Sequence, residues 1–193
     1  GWAPLPLALL PHTRCVALRP GSRLVTRARA PHDDDTNSAL ALYFHIPNGH
    51  EPHVHYATLL LQQVIKQMAF DDLRTRQQLG YVVWTLAPTY AGERFFGWVI
   101  QSAEHSPDAL EAAIDQFVAE HMAPVIASLA TDAALLEQHK AALILKHTLR
   151  DKTFRETFSS ARSLLTSHRY EFDRKDRAAA RIAALAATDL ASI

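Results

Sequence analysis

Histidine is the side chain this sequence offers most often for chemistry. The 193 residues hold 11 of them, and His45, His50, His53 and His55 fall close together. A zinc site needs three or four donors converging at about 2 Å. The spacing here serves that poorly, because His53 and His55 would face different sides of a helix. Neither H-E-x-x-H nor H-x-x-E-H occurs in the chain. Val54 stands where a second histidine would follow His50-Glu51, and Gln101 and Phe117 stand where Glu104-His105 and Glu120-His121 would need one. These histidines read as loop and helix-start residues, with adventitious metal binding as the rival, and no metal ligand is assigned. Cys15 sits among apolar residues and reads as a structural thiol. No G-x-S-x-G elbow and no glycine-rich phosphate loop is present. Asp33-Asp34-Asp35 lacks the spaced ligands and distal glutamate of a calcium loop.

Arg74 and Tyr81 are a different case. They flank a helix-to-strand corner in Phe70-Asp71-Asp72-Leu73-Arg74-Thr75-Arg76-Gln77-Gln78-Leu79-Gly80-Tyr81. Phe70 and Leu73 share a helical face and anchor it. Gly80 reads as the helix stop, since glycine takes the left-handed conformation that closes helices. An arginine and a tyrosine so placed could point together into a cavity. The plainer alternative pairs Arg74 with Asp71 and leaves Tyr81 merely packed; on spacing alone it is the simpler of the two.

The elements that must position them follow from periodicity. Strands are expected at 14–18, 23–29, 39–46, 81–86 and 95–102. A helix starts near Pro52, a good first helical residue, with apolar positions at helical spacing from Tyr56 to Met68. After Pro107 the chain reads as helices over 108–130, 133–150, 153–167 and 173–187. Thr131 or Asp132 caps the second of these, and Thr188 caps a last one. This order implies an α+β fold: an antiparallel or mixed sheet of about five strands, helices packed on one face, and a helical C-terminal half.

Composition narrows the classes. Lys plus Arg total 20 and Asp plus Glu total 20, a balance unlike that of a nucleic-acid binder or a polybasic membrane anchor. No run reaches the roughly 18 apolar residues of a membrane-spanning helix. Hydrophobic residues make up 48%, enough for one packed core. The single cysteine forbids an intrachain disulfide, which suits a cytoplasmic or bacterial periplasmic setting. Five prolines in the first 31 residues read as a linker or cut-off leading segment over 1–13, followed by one domain over 14–193.

The corner segment resembles the L-R-T-x-x-Q-L-G-Y signature found in the C-terminal half of pitrilysin and insulin-degrading enzymes, a family of inverzincin zinc metallopeptidases. Phe96-Gly97-Trp98-Val99-Ile100-Gln101-Ser102 is similar to that family's strand ending in Gln-Ser, and Tyr170-Glu171-Phe172-Asp173-Arg174-Lys175-Asp176 to its aromatic-Asp-x-x-Asp helix start. The likeness covers about residues 14 to 193. It implies a non-catalytic C-terminal domain, with zinc and H-x-x-E-H in the parent enzyme's N-terminal domain and no cofactor held by this chain. It also implies that Arg74 and Tyr81 are substrate-binding residues reaching into a peptide chamber completed with the N-terminal half of the parent. The chain ends at Ile193, before the family's last helix and strand, so an exposed sheet edge and self-association through it are expected. The rival reading is a peptide-binding or scaffold module of the same fold without peptidase activity.

Overall fold

A computed structural model describes residues 19–30, 32, 34–90, 93–166 and 172–193. Its sheet is built from β1 (Ser38–Ile46), β2 (Val82–Leu86), β3 (Thr89–Tyr90) and β4 (Glu93–Ser102). The order is β1-β4-β2, with β3 also on β4, and every pairing is antiparallel. Helices α1 (Pro52–Ala69), α2 (Pro107–Thr131), α3 (Ala133–Thr148), α4 (Phe154–Thr166), α5 (Arg174–Ala183) and α6 (Ala187–Ala191) complete the α+β fold, with a helical C-terminal half. None of these helices is long and apolar enough to cross a membrane.

The pleat gives the sheet two unlike faces. Leu40, Ile100 and Val83 lie abreast across the three strands, as do Leu42, Trp98 and Thr85. Trp98, Ile100, Val83 and Thr85 are buried on this side, against the helices. Trp98 meets Phe117 of α2 edge-on at 6.1 Å, and Leu60, Leu61 and Ile65 of α1 are sealed in the same core. The opposite face presents Ala39–Gln101–Val82, then Ala41–Val99–Trp84, then Tyr43–Gly97–Leu86, one rung after another.

Hydrogen-bond direction fixes which edges are open. The Phe95 N–H donates to the Pro88 carbonyl at 3.0 Å. By alternation Phe95, Gly97, Val99 and Gln101 therefore turn their backbone groups toward β2 and β3, and Val83 and Thr85 face the outer edge of β2. There the Gln62 amide of α1 donates to the Thr85 carbonyl at 2.9 Å. On β1 the backbone groups of Ala39, Ala41, Tyr43 and His45 face outward, with no ladder partner among the described residues.

Several expectations need correction. Residues 23–29 join no ladder; Arg23 and Arg27 instead pair with Glu111 and Asp108 at the start of α2. The expected strand 14–18 lies outside the described residues. The helix expected over 173–187 ends earlier, at Ala183, with Ala184 as its C-cap, and the further helix expected from Thr188 is α6. Thr188 is inside α6, and the Ala186 N–H finds its acceptor in the Asp189 carboxylate at 2.7 Å.

Candidate functional site

The corner between α1 and β2 is a π-helical segment, Phe70–Arg76. Its wide winding ends with the Gln77 N–H on the Asp72 carbonyl at 2.9 Å and the Leu79 N–H on the Leu73 carbonyl at 3.0 Å. Such segments are rare and frequent at functional sites. The left-handed residue that turns the chain is Gln78, at φ 54°, and not Gly80. Gly80 is needed for another reason: a Cβ there would fall on the Gln101 carbonyl oxygen of β4. Leu73 and Leu79 are buried and tie both ends of the turn to the core. Phe70 is only half-buried.

Asp72 secures the segment from beneath. Its Oδ1 accepts from Arg76 Nε at 2.7 Å and Gln77 Nε2 at 3.1 Å, and its Oδ2 lies 3.1 Å from His121 Nε2 on α2. Burial alone would raise its carboxyl pKa. The hydrogen bonds from Gln77, Arg76 and His121, with the Arg76 charge, outweigh burial and hold it below the usual value.

Arg74 does not pair with Asp71, which takes its hydrogen bond from Gln67 instead. The guanidinium lies over the Phe70 ring at 4.8 Å and over the Tyr81 ring at 5.3 Å. Among the described residues it has no carboxylate partner. Cation–π contacts hold a guanidinium in place without neutralising it. Tyr81 is 85% exposed. Both side chains line one cavity of about 490 Å³, together with Asn37, Gln78, Gly80, Gln101, Ser102, Ala103 and Glu104. It offers fixed N–H donors, a phenol and amides to a polar, extended ligand.

The resemblance of the corner segment, and not spacing alone, singled out Arg74 and Tyr81. It gave no hint of Asp72 and His121, whose contact joins residues 49 apart. Gln101 was visible as the end of a Gln-Ser strand, though not as cavity lining. Zinc finds no fit here: among the described residues no three His, Cys, Asp or Glu side chains gather as a ligand set. His45 instead pairs with Glu93 and His53 with Asp189.

Residues 60–162, more than half of the chain, match the family model of the PQQ synthase PqqF-like C-terminal lobe domain 4. The chain belongs to this family. It is a C-terminal domain of the pitrilysin/insulinase type, and its curated relatives agree. It is 31% identical over 124 residues to the insulin-degrading enzyme of Drosophila melanogaster, covering 64% of this chain and 12% of that protein. It is 27% identical over 159 residues to protease 3 of Escherichia coli strain K12, covering 82% of this chain and 16% of that one. The pitrilysin crystal structure superimposes with a TM-score of 0.67 at 26% identity, over 82% of this chain and 16% of that chain. The pitrilysin-type domain thus spans about an eighth to a sixth of the length of the proteins it matches.

Proposed function

We propose that this domain serves a zinc metallopeptidase as an accessory wall of its peptide chamber, with Arg74 holding the peptide backbone and Tyr81 stabilising the reacting carbonyl. One observation carries the reading. A half-buried guanidinium without a carboxylate partner among the described residues lies over two rings and shares a cavity with an exposed phenol. A structural arginine would be neutralised; this one keeps its donors for a ligand. Peptide carbonyls accept from such a fork. Peptide hydrolysis builds negative charge on the carbonyl oxygen, and a phenol O–H donating to it is a preorganised stabiliser. Zinc and its ligands would come from the N-terminal half of the parent; among the described residues no three His, Cys, Asp or Glu side chains gather as a ligand set.

The test is Tyr81→Phe in the full-length parent. Because the side chain is exposed, the melting temperature should stay within a degree or two. Turnover should fall by about 10²–10³, the usual loss for an oxyanion donor. Unchanged turnover would remove Tyr81 from the reaction and favour a scaffold role.

A further inference from the structure

The cavity at the corner holds a charge that the described residues do not balance. Two carboxylates sit within three residues of Arg74, and both are committed elsewhere. Asp71 accepts from the Gln67 amide at 2.9 Å. Asp72 is taken by Arg76, Gln77 and His121. Arg76 shows what a neutralised arginine looks like in this same turn: its Nε and Nη2 close on Asp72 Oδ1 at 2.7 and 2.6 Å. Arg74 is the less exposed of the two, and its contacts among the described residues are the Phe70 and Tyr81 rings. None of its N–H groups donates a hydrogen bond among those residues.

The surroundings say what would balance it. Asn37, Gln78, Gln101 and Ser102 are neutral, and Glu104 is the one other charged side chain of the lining. Glu104 is exposed and forms no ion pair with Arg74, and water and salt screen its charge. The Gln78 and Gln101 amides make no hydrogen bond among the described residues, so they can add N–H donors to the same space. A neutral carbonyl accepts from a guanidinium but leaves its charge in place. A carboxylate takes two parallel N–H bonds and cancels the charge, and such charge-assisted bonds are about twice as strong as neutral ones. The half-buried Arg74 has less water around it than a surface arginine, so an ionic partner gains more here than on open surface.

We infer that the Arg74 cavity is a carboxylate subsite, which selects peptides that bring an acidic side chain or a free C-terminus to the guanidinium. This rests on the reading that the cavity takes peptide, and it adds which peptides. Carbonyl binding and carboxylate binding differ in one measurable respect. Only the second cancels charge, so its advantage exists only while residue 74 is a cation.

Fluorescence anisotropy with the full chain tests it, using four labelled hexapeptides of one parent sequence. Three are blocked at both ends and carry Asn, Asp or Lys at a central position; the fourth carries the Asn and a free C-terminal carboxylate. At least one carboxylate peptide should bind about tenfold tighter than the blocked Asn peptide, and whichever does so names the source, side chain or C-terminus. The Lys peptide should bind most weakly. Arg74→Gln should abolish the carboxylate advantage, and Arg74→Lys, a point charge without the fork, should keep part of it. Glu104→Gln should tighten the carboxylate peptides, and loosening would mean that Glu104 sets the selection and would overturn the subsite. Equal affinity for all four, still weakened by Arg74→Gln, would overturn the carboxylate subsite and leave the backbone reading standing. An advantage that survives Arg74→Gln would also overturn it. Binding of none would overturn both. The same titrations belong on the full-length parent stripped of zinc. An Arg74-dependent advantage seen in this chain and absent there would mean that a carboxylate of the parent itself covers Arg74, and would overturn the peptide subsite.

Discussion

Asp72 holds Arg76, Gln77 and His121 from a buried position, and through them it fixes the turn that presents Arg74. Asp72→Ala should therefore destabilise the chain by about 1–3 kcal/mol, the usual cost of stranding buried polar partners. The effect should depend on pH. Folding lowers this carboxyl's pKa, so its stabilisation is fully present above the unfolded value, near 3.8, and is lost as pH falls through the folded value. Urea midpoints at pH 7 and at acid pH should show a large gap between Asp72→Asn and the parent chain at neutrality that shrinks in acid. A constant gap would mean that the carboxylate charge is not what matters. None of this was legible in the sequence. Positions 74 and 81 stood out through the local signature that the corner segment resembles, but a side chain meeting another helix 49 residues away leaves no periodic trace.

At the scale of elements, the corner is a matter of clearance. Gly80 lets the chain pass directly against the Gln101 backbone, so Gly80→Ala should push β2 from β4, costing about 1–3 kcal/mol in overpacking. Circular dichroism melts would measure it, and an unchanged melting temperature would show that the two strands can part freely. The sequence marked residue 80 as special and misassigned the reason, because a glycine at a turn suggests positive φ before close approach. Helices α1 to α3 were legible from apolar spacing and caps; Asp132 does cap α3, accepting from the Leu135 N–H at 3.0 Å. The segment 23–29 was not. Its alternation has the look of a strand, but a strand needs a partner edge, and here arginine pairs with α2 took its place.

At the scale of the molecule, α+β class and the single helix-covered face were readable because the order of strands and helices leaves few layered solutions. The bareness and apolar character of the other face were not remarked, since a half-buried strand and an open one share the same alternation. The two sheet margins have unequal fates. Gln62 is seated on the Thr85 carbonyl and hinders lateral growth along β2, whereas among the described residues nothing covers β1. Two copies meeting through β1 would each cover the other's open margin. Association should therefore saturate at a twofold pair, and sedimentation across a wide concentration range should plateau at twice the monomer mass. A Gln62→Ala chain would regain a second valence, and for it the ladder could lengthen without limit into a fibril.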